Sequence, residues 1–409
     1  MSDAIAALQL DVEGLEPEQA VNDLIEHAAN LGVSDLFFVS HETHWMVQVR
    51  HQGILRPITH LSAELGRRCV GHVKSVANLN VAERRRPQDG RWIFQRPDGH
   101  AVDLRINIVP TLFGEDVTFR LLDRETRLLN LDQLGLGRRE YNTLLSMLSN
   151  PSGLILVTGP TGSGKTTTLY ACLNHLNNGE RKINTIEDPV EYNIGGIRQS
   201  QVNPKLDLGF AELLRNILRQ SPDVIMVGEI RDPETAATAV LAANSGHLVL
   251  ATLHAPSAVG AVESMFNLGV HRHFLASSLQ GVLTQRLVRT LCPACRQSFD
   301  LSDSPHTFEE VRPYMEPNEG YLMYGPRGCP ECRQLGYTGR TGVFEMLKIG
   351  PALRKLILEK APASVLRKTA VEEGMLECRL SALLKVARGV TSIEEVFRVI
   401  PTEYLTGEE

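Results

Sequence analysis

Behind Pro17, apolar side chains recur at Val21, Leu24, Ile25, Ala28 and Leu31, the spacing that lines one stripe of a helix. The pattern then changes. Leu36 to Val39, Trp45 to Arg50, Arg91 to Gln95, Ala101 to Val109 and Asp116 to Leu122 read as strands, so residues 1–122 form a mixed α and β domain. The stretch 123–137, charged at first and punctuated by Gly135 and Gly137, has neither pattern and reads as a linker. Beyond it, in 138–409, short apolar runs (Leu154 to Val157, Lys182 to Ile186, Val224 to Val227, Leu248 to Leu253) alternate with helical stretches (Thr166 to Asn177, Phe210 to Gln220, Pro233 to Ala243). That alternation predicts an α/β fold whose mainly parallel sheet is covered on both faces. The last part, 337–409, reads as short helices around Leu353, Leu356, Leu366, Leu383 and Leu384.

The run Gly159-Pro160-Thr161-Gly162-Ser163-Gly164-Lys165-Thr166 fits G-x-x-x-x-G-K-[ST], directly after a strand and directly before a helix. Each residue type has a reason. The glycines let backbone N–H groups approach phosphates, the helix start adds its dipole, Lys165 supplies a point charge and Thr166 offers a hydroxyl to Mg²⁺, with Thr167 next in line. Hydrolysis needs a carboxylate as well. Asp223 and Glu229 bracket one strand and lie roughly 20 Å apart at about 3.3 Å per residue, so they cannot share a site. Ligands of an open α/β sheet sit beyond the carboxyl ends of its strands, which selects Glu229, Glu187 and His254 over Asp223 and His247.

Four of the seven cysteines form two close pairs, Cys292-x-x-Cys295 and Cys329-x-x-Cys332. In a reducing compartment that spacing means one tetrahedral Zn²⁺, and four thiolates leave no open position, so 291–336 reads as a structural zinc module. The net charge of -6 argues against a protein that grips a nucleic-acid backbone. The first residues carry no basic region and no apolar run approaches the roughly 18 residues of a spanning helix, which points to a cytoplasmic protein.

Taken together, 159–168, the acidic box 183–192 around Glu187, the segment 218–232 around Glu229 and Arg231, and 246–254 ending at His254 resemble the secretion ATPase superfamily, specifically the type II secretion and type IV pilus assembly motors. The stretches 84–91 and 283–295 share the likeness. The resemblance implies a RecA-like P-loop NTPase core over 138–409, a smaller PAS-like N-terminal domain and a homohexameric ring. It also implies ATP with Mg²⁺ held through Thr166 and Glu229, a water polarised by Glu187 or Glu229, and His254 as a sensor of the γ-phosphate. Family members bring N-terminal arginines toward the phosphates. The alternation of Val102, Leu104, Ile106 and Ile108 leaves Arg105 on the opposite face, Arg120 alternates likewise, and Arg91 is a weaker third.

By the same likeness the chain is an ATPase motor for pseudopilin or pilin assembly, peripheral to the inner membrane through a platform protein and with no nucleic-acid partner. The paired cysteines favour assembly over the alternatives of a retraction or DNA-uptake motor. A nucleotide-gated subunit with little turnover is a further alternative, which Glu187, Glu229 and His254 disfavour.

Overall fold

The computed structural model describes residues 8–123, 128–304 and 306–401, in two compact units. The first unit takes in 1–127 together with 292–295 and 327–338. Its helix α1 (Pro17–Asn30) is followed by β1 (Asp35–Ser40), β2 (His44–His51), β3 (Ile54–Ser62), α2 (Ala63–Val76), β4 (Gln88–Gln95), β5 (Ala101–Pro110) and β6 (Glu115–Asp123). The strands form one antiparallel sheet in the order β3-β2-β1-β6-β5-β4. Alternation along β5 buries Val102, Leu104, Ile106 and Ile108 with Val21, Leu24 and Ile25 of α1 and Val70 and Val73 of α2 in one core. The opposite face carries the polar residues. Lys74 is buried in the flank of α2, where its Nζ meets Glu115 Oε1 at 2.6 Å and donates to Glu83 O at 2.6 Å, so its charge is matched.

The second unit opens with a short 3₁₀ turn at Leu131–Leu134, then α3 (Arg138–Leu148), β7 (Gly153–Thr158), α4 (Lys165–Leu176), β8 (Ile183–Glu187) and β9 (Arg198–Gln201). It continues through α5 (Phe210–Ile217), β10 (Val224–Val227), α6 (Pro233–Asn244), β11 (Leu248–Leu253), α7 (Ala258–Asn267), α8 (Arg272–Ser278) and β12 (Leu279–Leu291). After the small hairpin β13 (Gln297–Asp300) and β14 (Leu322–Gly325) come β15 (Tyr337–Lys348), α9 (Pro351–Glu359), α10 (Ala363–Glu372), α11 (Cys378–Ala387) and α12 (Ile393–Val399).

Seven strands make one sheet in the order β15-β12-β7-β11-β10-β8-β9. The ladders joining β12, β7, β11, β10, β8 and β9 are all parallel. The pleat sends Leu154 and Leu156 of β7 into one core and Ile155 and Val157 into another, so both faces are buried and the strand reads as an unbroken apolar run. Glu345 of β15 lies beneath this scaffold and accepts N–H groups from Ala258 (2.7 Å) and Cys378 (3.3 Å), the first residues of α7 and α11. One buried carboxylate thereby satisfies orphan donors at two helix starts. Burial nonetheless pushes it above the ordinary carboxylate range.

Of the stretch 123–137, residues 124–127 lie outside those described, while Leu131 and Leu134 are buried in the second unit's core. The excursion 291–336 divides: its cysteine-bearing ends belong to the first unit and 296–326 to the second.

Candidate functional site

Between the last residue of β7 and the first turn of α4 the chain must turn sharply while keeping its N–H groups free. Gly159, Gly162 and Gly164 adopt φ values of 141°, 76° and 87° there, a region costly for a side chain. At Gly159 a Cβ would also lie 2.3 Å from the carbonyl oxygen of Gln285, so only glycine fits. Lys165 Nζ is held over the loop, donating to Gly159 O at 2.9 Å and Pro160 O at 3.1 Å. Burial lowers its pKa from the usual lysine range, and the nearby Glu229 carboxylate pulls in the opposite direction. Ser163 is buried with its Oγ unpaired within the protein. The loop therefore suits the triphosphate its sequence predicts.

Glu229 stands just past the end of β10, 15% exposed, with Arg231 Nη2 at 2.5 Å and His254 Nε2 at 2.8 Å. The backbone behind it is pinned: Gly228 N donates to Ile186 O at 2.7 Å, Thr252 Oγ1 to Gly228 O at 2.5 Å and Ile230 N to Thr252 O at 2.9 Å. Glu229, His254 and Lys165 thus meet at one edge of the sheet. Asp223 lies at the opposite end of β10, accepting the N–H of Lys182 at 2.7 Å.

Glu187 reaches the same edge yet points elsewhere. The pleat of β8 places it with Ile183 and Thr185 on the face that α4 covers, and only 3% of it is exposed. One oxygen accepts Thr185 Oγ1 at 2.6 Å and Gln199 Nε2 at 3.0 Å, and the other accepts the hydroxyl of Tyr170. That hydroxyl also takes the N–H of Glu191 at 3.4 Å, and burial beside Glu187 pushes Tyr170 well above the ordinary phenol range. Both carboxylate oxygens are therefore occupied by the protein's own donors. Asp188 and Glu191, one and four residues on, are the exposed acids of that segment.

In the first unit, Arg91, Arg105 and Arg120 stand directly opposite one another across β4, β5 and β6, and the row continues through Asp35 to Arg50. Like charges in register repel. Two carboxylates offset them: Asp35 accepts Arg120 Nε at 3.3 Å, and Asp103 accepts Arg91 through Nε at 2.8 Å and Nη2 at 2.5 Å.

Cys292, Cys295, Cys329 and Cys332 bring their sulfurs within 4.8 Å of one another, the cysteine cluster expected from their spacing. Three of the sulfur–sulfur separations are 3.8, 3.7 and 3.7 Å. A tetrahedron with metal–sulfur bonds near 2.3 Å has edges of about 3.8 Å, so the set fits such a centre. Backbone N–H groups of Gly328, Cys329 and Gly336 point at Cys295 and Cys332 sulfurs over 3.3, 3.2 and 3.1 Å. Burial would raise the Cys332 thiol, but the N–H groups of Cys329 and Gly336 and the neighbouring Cys329 and Cys295 thiols outweigh it and bring it to about 7.

One residue beneath the phosphate loop escaped the sequence reading. Gln285 of β12, 1% exposed, bonds to the loop at one end and to α4 at the other. Its block was visible only as part of a family likeness, since nothing local marks a glutamine in an apolar strand as a partner of a loop far away in sequence.

Residues 12–398 match the family model described as type II/IV secretion system protein. The type II secretion system ATPase E of Vibrio cholerae is 44% identical over 379 residues, covering 93% of this chain and 74% of that one. The type IV pilus assembly ATPase PilB of Pseudomonas aeruginosa is 41% identical over 380 residues, covering 93% and 66%. Among solved structures, the pilus retraction motor PilT with bound ADP superposes with a TM-score of 0.61 at 25% identity, over 92% of this chain and 96% of that one. The Legionella pneumophila ATPase DotB gives 0.67 at 21%, over 92% and 93%, a likeness of fold. With a P-loop at the sheet edge and ATPases as its relatives over nearly its whole length, this chain is an ATPase and belongs to the type II/IV secretion system protein family.

Proposed function

We propose that the chain works as a hexameric motor whose ATP hydrolysis drives pseudopilin or pilin assembly through an inner-membrane platform protein. The observation that carries this is the meeting of Lys165, Glu229 and His254 at one sheet edge in a chain over 40% identical to a type II secretion system ATPase and to a type IV pilus assembly ATPase. The 25% identity to the retraction motor supports assembly over retraction. In this reading residues 159–166 cradle the phosphates, Thr166 and Glu229 hold Mg²⁺, and His254 faces the γ-phosphate. A bound Mg²⁺ would neutralise charge developing on the phosphates, and Glu229, the carboxylate held at that edge with Arg231 and His254, would polarise the attacking water. Arg105 and Arg120, with Arg91 behind them, supply positive charge when a hexamer closes around nucleotide. No helix among the described residues is long and apolar enough to cross a membrane.

Three measurements test this reading. Cells carrying an inactive chain lose secretion or piliation, and the purified chain runs as six copies in native mass spectrometry and captures the platform protein. A chain that stays monomeric with ATP and ignores that protein ends the proposal. The cysteine cluster is assigned to structural zinc, and the prediction is one zinc per chain by elemental analysis. Serine at both Cys329 and Cys332 removes it and lowers the melting temperature, because the excursion loses the bond energy that orders it. Zinc-free protein that melts like the untreated chain rules the assignment out.

A further inference from the structure

The geometry assigns to Gln285 the role of a positioning residue that aims the phosphate loop, an inference that rests on reading 159–166 as the phosphate site. Gln285 Nε2 donates to Ser163 O at 2.6 Å, and Gln285 Oε1 accepts from Thr168 Oγ1 at 2.7 Å. A carbonyl can only accept, so the nitrogen of the amide must face Ser163, and Thr168 holds it there by occupying the oxygen. Across a trans peptide the C=O and the next N–H point in opposite directions. Drawing Ser163 O down toward β12 therefore turns the N–H of Gly164 upward, into the loop. Gly164 immediately precedes α4, with φ at 87°, so this N–H belongs to the set of unpaired donors that make a helix start bind anions.

The brace is matched to its surroundings. Neighbouring Thr284 pairs in register with Thr158 at the end of β7, so Gln285 lies beside the point where the loop leaves the sheet. Its own carbonyl closes against Gly159, and its Nε2 would lie 3.1 Å from a Cβ at Gly164. Gln285 and Thr168 are both about 1% exposed, so neither can exchange its partner for water without opening the core. Gln285 touches no phosphate itself. It acts through the loop peptide.

Aimed N–H groups hold phosphate before and during the reaction alike, which is binding common to ground and transition states. Gln285→Met keeps the length and apolar packing but removes both hydrogen bonds. It should raise the KM for ATP and the Kd for ADP about tenfold, or 1.4 kcal/mol, with kcat changed by less than about threefold. Thr168→Val frees the amide without removing it and should raise both about two- to threefold. The two changes combined should be no worse than Gln285→Met alone, the signature of one shared interaction.

Lys165→Ala is the control for the underlying site. If it binds ADP like the native chain, the phosphate-site reading itself fails; if it loses ADP while Gln285→Met binds normally, only the positioning role fails. A Gln285→Met chain that melts earlier yet binds ADP with native Kd is merely destabilised, and that too overturns the role. Should Gln285→Met not fold, native ADP affinity in Thr168→Val or additive effects in a Gln285→Asn pair with it would do the same.

Discussion

Replacing Lys165 with alanine is expected to lower phosphate release by at least about 10²–10³-fold, the scale lost with one preorganised donor to developing charge. The ammonium is the compact charge of the loop, held by Gly159 O and Pro160 O in a position that phosphate oxygens can take over. Its removal should leave the fold intact, since Lys165 is only partly buried and its ammonium bonds only to its own loop. Burial has already lowered its pKa, so ADP affinity in the native chain should fall as pH rises toward the lysine range, beginning earlier than for an exposed lysine. The sign is fixed by charge: protonated lysine attracts the phosphates and neutral lysine does not. Lys165→Ala should bind weakly with no such pH dependence. Phosphate release and ADP titrations at several pH values check both, and unchanged turnover in the variant removes the proposed site.

The phosphate loop was legible because its chemistry is local: consecutive residues supply the turn, the charge and the hydroxyl, and strand and helix flank them. The buried parallel strands were equally plain, since both faces of each are apolar and turn residues bound them. Strand β3 with helix α2, and the long β12, were missed; β3 mixes Arg56, Pro57 and His60 into its pattern, and β12 carries Gln280, Gln285 and Arg286 among its apolar residues. Gln285 shows the underlying limit. Its worth depends on a contact over more than a hundred residues, for which spacing gives no sign. The cysteine pairs announced a metal-sized cluster, yet not that their two segments would join the first unit while the loop between them joins the second.

Edge reasoning placed Glu187 and Glu229 together but could not orient them, and their orientation separates their expected roles. Strand residues alternate sides, so the end of a strand fixes the height of a side chain in the sheet and parity fixes its face. Glu187 shares parity with Ile183 and Thr185 and turns under α4, where Tyr170, Thr185 and Gln199 occupy its oxygens. Glu229, beyond the last β10 residue, faces Lys165, Arg231 and His254. Glu229→Gln should therefore cut kcat about 10²–10³-fold while ADP binding and melting temperature stay near native values. Glu187→Gln should do the reverse: it turns an amide N–H₂ toward buried donors, costs roughly 1–3 kcal/mol of stability, and leaves kcat within about tenfold. Tyr170→Phe should mimic the second variant, because it removes the donor from the same buried bond. Thermal melts set beside single-turnover rates distinguish the two patterns. If Glu187→Gln loses as much rate as Glu229→Gln at unchanged stability, Glu187 leaves its buried partners during turnover and joins the chemistry, and the division of labour drawn from the pleat is wrong.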